Sequence, residues 1–142
     1  MTKQEILEAI NQNPAFFLAT IDEDKPRVRG MLLYKADENG ILFHTAASKD
    51  LYSQILKNPN AELCFNCSGT QIRISGKLDI IDDNNIKDEI YNHPSRAFLK
   101  TWKNNGSLGD PYKNLIVLNL KNGIAITWTM AENFAKKSPV QL

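Results

Sequence analysis

A mainly β fold, an antiparallel barrel of roughly six to seven strands with helices packed outside, is what this sequence predicts, and three observations predict it. Alternating apolar and polar residues recur along the chain, most clearly over Gln71–Ile81. Asp- and Gly-rich turns of hairpin length separate most of these runs, so successive strands are expected to pair antiparallel. Helical spacing is confined to a few segments and does not alternate with strands unit by unit, which disfavours a doubly wound parallel sheet.

Thr2-Lys3-Gln4-Glu5 has the form of a capping box, and Ile6, Leu7 and Ile10 place one apolar stripe on the helix that follows. Asn13-Pro14 ends it, because a residue before proline is pushed out of the helical region. Ala15–Ile21 then reads as a strand, Asp22–Pro26 as a turn, and Arg27–Lys35 as the hairpin partner. In that partner Val28, Gly30, Leu32 and Tyr34 share one face, and Arg27, Arg29, Met31 and Leu33 the other. The turn Asp37–Gly40 leads into a third strand, Ile41–Thr45. Leu51, Tyr52, Ile55 and Leu56 recur at helical spacing, with Ser48 placed to cap this helix and Asn58-Pro59 to stop it.

Ala61–Cys67 and Gln71–Ile81 flank the turn Ser68-Gly69-Thr70. In the second strand Ile72, Ile74, Leu78 and Ile80 fall on one face, and Gln71, Arg73, Ser75, Lys77 and Asp79 on the other. Gly76 removes a side chain from the apolar face, as happens at a bend or a close approach. Asp82–Asn105 reads as two short helices divided by Pro94, with Asp82 and Ser95 as caps, and Asn104–Pro111 as a loop. Leu115–Leu120 and Ile124–Met130 read as a last hairpin around Asn122-Gly123, with the tail from Ala131 a short helix or mobile end.

A length of 142 residues fits one domain with one core, residues 1–142. The 17 basic and 16 acidic residues are mixed along the chain, so no nucleic-acid arm is expected. No apolar run is long enough for a membrane span and the polar start does not resemble a signal peptide, which gives a cytoplasmic expectation. Cys64 and Cys67 have C-x-x-C spacing. On a strand, however, residues three apart point to opposite faces, and neither histidine, His44 or His93, adds zinc-ligand spacing. The expectation is two buried or half-buried free thiols and no metal site. Trp102 and Trp128 are aromatic enough to stack on a planar ligand, although a Trp on an alternating strand is more often core, and neither is assigned a role.

The chemistry-bearing residues are basic and hydroxylic. Arg29 offers a guanidinium able to grip phosphate with two parallel hydrogen bonds, and Lys49 a charge at a helix entrance whose amides already favour anions. Thr45 and Ser48 add hydroxyls. No G-x-G-x-x-G or Walker loop is present, so a phosphate would be held by side chains and a helix start. A surface arginine beside an ordinary capped helix fits the same residues.

Pro26–Leu33, Phe43-His44-Thr45, Ser48-Lys49, Lys57-Asn58-Pro59 and Gln71–Lys77 occur in the order seen in the pyridoxamine 5′-phosphate oxidase-like FMN-binding split barrels, which the chain resembles over most of residues 14 to 81. Thr45–Tyr52 and the short length look most like the branch that includes nitroimidazole-resistance proteins. The resemblance implies an antiparallel split barrel in which Arg29 and Lys49, with Thr45 and Ser48, bind the FMN phosphate. It further implies that the backbone of Gly30, Met31 and Leu32 runs beside the isoalloxazine ring, and that Gln71 reaches the flavin from the neighbouring subunit of a homodimer. His44 would pack against the cofactor or accept a hydrogen bond from a substrate. Tyr34 stands where the oxidases carry a phosphate-binding lysine, and the longer C-terminal segment that holds pyridoxamine phosphate is not matched, so vitamin B6 synthesis is not expected. The implied activity is an FMN-dependent oxidoreductase passing electrons to a small oxidised acceptor such as a nitroaromatic or quinone. A non-enzymatic flavin- or haem-binding module of the same fold is the alternative.

Overall fold

In the computed structural model, which describes residues 1–142, the capping box forms as the sequence dictates. Thr2 Oγ1 accepts from the Glu5 amide at 3.2 Å and Glu5 Oε2 from the Thr2 amide at 2.7 Å, opening helix α1 (Lys3–Gln12). Ile6, Leu7 and Ile10 bury its apolar stripe, and Asn13 caps it ahead of Pro14.

Strands β1 (Ala15–Asp22) and β2 (Lys25–Leu32) pair antiparallel around Glu23, whose positive φ of 58° closes the tight turn. The run expected as one strand to Lys35 is two. After β2 the chain leaves β1, the Tyr34 amide donates to Leu42 O at 2.8 Å, and β3 (Lys35–Asp37) pairs instead with β4 (Gly40–Ala46). Helix α2 (Asp50–Lys57), strands β5 (Asn60–Cys67) and β6 (Thr70–Ile81), and helices α3 (Asn84–Asn92) and α4 (Ala97–Asn104) follow, the last two separated by a 3₁₀ turn at Pro94–Arg96. The short helix α5 (Pro111–Asn114), which sequence spacing did not reveal, leads into β7 (Leu115–Leu120), β8 (Ile124–Trp128) and β9 (Val140–Gln141).

The main sheet path runs β2-β1-β5-β6-β7-β4-β3, with β8 joined to β6 and β9 to β8. Strand β6 serves both halves of this split barrel: Gln71–Ser75 pair with β8, and Leu78–Ile81 with β7. Gly76 lies where the partner changes, and a Cβ there would sit 3.2 Å from the Leu120 side chain. Ile72, Ile74 and Leu78 are buried as the alternation requires, whereas Ile80 is exposed beyond the barrel. The last two long strands are not a hairpin. Asn122 does take a positive φ of 54°, but β7 pairs with β4 and β6 while β8 crosses to the far edge of β6. The tail also differs from expectation, since it returns as β9 against β8.

The core is centred on Phe16, which stacks on Phe65 at 4.7 Å between centroids and meets Phe43 edge-on at 5.2 Å. All six residues of β7 are buried because it has no solvent face, with the barrel on one side and the Ile90, Tyr91 and Leu99 layer of α3 and α4 on the other. Capping departs from the sequence expectation at three helices. Asp83, not Asp82, caps α3 through its contact with the Asn85 amide. His93 Nδ1, not Ser95, accepts at the 3₁₀ turn. Helix α2 begins after Lys49 with no side-chain cap, and Ser48 is an exposed turn residue. No helix is long and apolar enough to cross a membrane.

Candidate functional site

Thr20 continues the inward-facing register of Phe16 and Leu18 along β1, and Gln54 lies on the buried face of α2 beside Leu51 and Ile55. These two polar side chains, 2% and 8% exposed, meet with Thr20 Oγ1 donating to Gln54 Oε1 at 2.7 Å. Arg29 of β2 closes the triangle. Its Nη1 donates to Thr20 Oγ1 at 2.7 Å and more weakly to Leu18 O at 3.3 Å, while Nη2 donates to Gln54 Oε1 at 2.6 Å. Every acceptor is neutral and Arg29 forms no ion pair, so its orientation is fixed without a carboxylate in direct contact. Burial pushes its affinity for a proton below the ordinary value, opposed by the nearby Asp50 carboxylate, yet a guanidinium stays charged throughout. Arg27, two residues earlier, is spent differently, in an exposed pair with Asp22 at 3.1 Å.

Arg29 lies on the wall of a cavity of about 1010 Å³, into which the uncapped start of α2 opens with Lys49. Lys49 is exposed and unpaired. An arginine, a lysine and a free helix entrance therefore converge on one space, the arrangement that favours an anion. Gly30, Met31, Leu32, His44 and Thr45 line the same cavity. Ser48 does not; Ser53, which follows one turn into α2, lies on the wall instead. Gln71 is also elsewhere, on the wall of a second, more apolar cavity of about 1060 Å³ that shares Gly30, Met31 and Leu32 with the first. The β2 end thus separates two spaces, one basic and one apolar.

Aromatic side chains complete each space. Phe98 and Trp102 of α4 contact edge-on at 5.4 Å between centroids and line the basic cavity. Trp102 is 45% exposed and outside the core, because α4 covers the barrel with Leu99 and turns this pair outward. Trp128 is half-buried on the apolar cavity, near the open side chains of Phe17 and Met130. Cys64 borders this cavity and Cys67 is buried; both are free, and burial raises both thiols above the ordinary value.

His44 does not offer the acceptor that sequence suggested. Its Nε2 already accepts from Arg96 Nε at 2.8 Å. Burial first, and the Arg96 charge second, push the imidazole down to about 4. Arg96 in turn donates to Leu33 O at 2.9 Å and Leu32 O at 3.3 Å, and lies 5.5 Å from the Tyr34 ring centroid. Tyr34, at the position where a lysine was the expected family residue, turns its hydroxyl away to Glu89 Oε2 at 2.6 Å. That hydrogen bond is the main reason the Glu89 carboxyl sits below its ordinary value.

Sequence spacing did not reveal Thr20, Gln54, Arg96 or Phe98. The available signal for the first two was a polar residue falling in phase with buried ones on a strand and a helix. Arg96 and Phe98 reach the site only through the packing of α4, which no local pattern encodes.

The sequence profile of the family described as Pyridoxamine 5′-phosphate oxidase matches residues 2–126. Curated proteins named pyridoxine/pyridoxamine 5′-phosphate oxidase also match, and the chain spans about half of their length. General stress protein 26 of Bacillus subtilis is 26% identical over 148 aligned positions, covering 99% of this chain and 94% of that protein. Among solved structures, a NimC/NimA family protein from Clostridium acetobutylicum is similar with a TM-score of 0.73 at 23% identity, covering 98% of this chain and 92% of the other. A pyridoxamine 5′-phosphate oxidase-related, FMN binding protein from Nostoc punctiforme gives a TM-score of 0.70 at 19% identity, covering 99% and 95%. At these identities the structural likeness establishes the fold.

Proposed function

This chain belongs to the pyridoxamine 5′-phosphate oxidase family, and from that premise we propose that it is an FMN-binding oxidoreductase acting, as a homodimer, on a small oxidised acceptor. The observation that carries the reading is Arg29, a cation fixed by the neutral Thr20 and Gln54 side chains at the wall of the cavity and held in no ion pair. The residues present fit the cofactor. Arg29 and Lys49 would hold the terminal phosphate with Thr45, and the backbone of Gly30, Met31 and Leu32 would border the ring. FMN, when bound, supplies the electron transfer itself. The chain's part is to anchor the cofactor and orient it.

Phe98 and Trp102 support a planar acceptor such as a nitroaromatic or quinone, because their rings add apolar faces and edges to the cavity that Arg29 and Lys49 line. The second copy is argued from the apolar cavity. Phe17, 62% exposed, and Met130, 74% exposed, border it together with Gln71 and Trp128, and large apolar side chains left open around a concave face mark an association surface. A partner seated there would place its own Gln71 near the shared wall of Gly30–Leu32.

Freshly isolated protein should absorb between roughly 350 and 500 nm, as an oxidised flavin does, or acquire that spectrum on adding FMN. Reduction by a nicotinamide donor and reoxidation by a nitroaromatic, each faster than with free FMN, would establish turnover. Colourless protein that takes up no FMN overturns the reading, and uptake without turnover reduces it to a flavin carrier.

A further inference from the structure

Arg96 is only 2% exposed and has no carboxylate partner. A buried cation without a counter-ion is costly, so its neighbours must satisfy it through hydrogen bonds. Its Nη2 takes the carbonyls of Leu33 and Leu32, and its Nη1 reaches Ser95 Oγ at 3.2 Å. This leaves Nε, which donates to His44 Nε2 at 2.8 Å.

A guanidinium has donors and no acceptor. His44 Nε2 must therefore be the accepting nitrogen, and in the neutral ring the single proton sits on Nδ1. The ring is neutral around pH 7, since its protonation lies near pH 4. No group of the chain hydrogen-bonds Nδ1, while the one solvent-inaccessible side-chain nitrogen or oxygen without a partner is Asn119 Oδ1. Nδ1 is consequently not sealed from solvent, and the space His44 lines is the basic cavity.

We propose that Arg96 is a positioning residue that holds His44 as the neutral Nδ1–H tautomer, so that the ring presents the cavity with a hydrogen-bond donor matched to a carbonyl, carboxylate or nitro oxygen of the ligand. The identity of that ligand rests on the reading above; the tautomer does not. Free histidine favours the opposite tautomer in water, so the Arg96 contact makes a distinguishable demand. The same arginine binds the carbonyls of Leu32 and Leu33, which ties the donor's position to the end of β2 that walls the cavity.

The test uses the full chain labelled with ¹⁵N, before any flavin is added, and correlates imidazole carbon-bound protons with both ring nitrogens at pH 7. His93→Gln assigns the two histidines. The expected result is an unprotonated Nε2 and a protonated Nδ1 for His44, shifting mainly to Nε2–H in Arg96→Met. A wild-type Nε2–H ring overturns the proposal whether or not Arg96→Met folds, and a folded Arg96→Met that keeps the Nδ1–H form overturns the role of Arg96. In protein loaded with FMN, nitrobenzene should bind at least tenfold tighter than aniline, which has no acceptor oxygen, with the preference lost in Arg96→Met. No preference, or no binding by either, overturns the acceptor-selecting role. Failure to load FMN would count against the flavin reading and leave the tautomer result standing.

Discussion

Replacing Arg29 by alanine separates a phosphate anchor from a merely structural arginine. The variant loses hydrogen bonds to Thr20, Gln54 and Leu18, but Thr20 still donates to Gln54, so no buried hydroxyl or amide oxygen is stranded and the fold should survive. The phosphate, by contrast, loses a charge-assisted contact worth about 1.5–3 kcal/mol, which at about 1.4 kcal/mol per decade is a rise in Kd for FMN of roughly 10- to 150-fold. Arg27→Ala removes a guanidinium that borders the same cavity but is exposed and paired with Asp22, so the phosphate loses at most a screened contact worth about 0–1 kcal/mol and Kd should rise less than about fivefold. Quenching of flavin fluorescence on titration measures both. Riboflavin, which lacks the phosphate, supplies the control: its affinity should be nearly the same in wild type and Arg29→Ala. Equal weakening of riboflavin and FMN, or an Arg29 effect no larger than that of Arg27, would refute the anchor. Adding Lys49→Ala should weaken FMN further and flatten the dependence of Kd on salt.

Four further outcomes are expected. Phe16→Ala empties the junction of three rings and should cost about 3–5 kcal/mol in urea unfolding without altering the slope. Gly40→Ala should cost ~1–3 kcal/mol or more by the same measurement, because Gly40 has φ +136° and a Cβ would fall 2.1 Å from Asn119 Oδ1. His44 binds its proton less readily folded than unfolded, so its contribution is complete above its ordinary value of 6.5 and is lost as pH falls toward about 4. At ~1.4 kcal/mol per pH unit this descent is worth ~3 kcal/mol, and His44→Gln should flatten the stability profile across that window. Phe17→Glu, placed on the 62% exposed ring bordering the apolar cavity, should break the proposed dimer into monomers in sedimentation while preserving the circular dichroism.

The elements legible in the sequence were those set by local chemistry. The capping box at Thr2, the stops at Pro14 and Pro59 and the alternation of β6 each depend on residues within a few positions of one another. What local pattern did not show was which strands pair. Asn122-Gly123 supplies a tight turn, yet Gly123 packs where a Cβ would lie 2.5 Å from Leu120 and 2.8 Å from Ile74, and the turn delivers β8 to the far side of β6. The break after Leu32 was hidden for a similar reason: alternation continues through it, while tertiary contacts from Arg96 and Leu42 redirect the backbone. At the site, Arg29, Lys49, Thr45 and His44 share one cavity, a grouping implied by the family resemblance rather than by spacing, and Gln54 and Arg96, which help to orient Arg29 and His44, lie 25 and 52 residues away from them in sequence.

Strand β6 is the one strand that both halves of the barrel hydrogen-bond, through Gln71–Ser75 on one side of Gly76 and Leu78–Ile81 on the other. Neither half can come apart at its seam without peeling this strand from its neighbours. Unfolding should therefore be a single event rather than a stepwise loss of halves, with the Ile72 and Ile74 amides among the last to trade hydrogen for deuterium. For a cavity whose walls come from both halves, such a common hinge pin means that the anchor and the aromatic wall stay registered until the whole barrel opens.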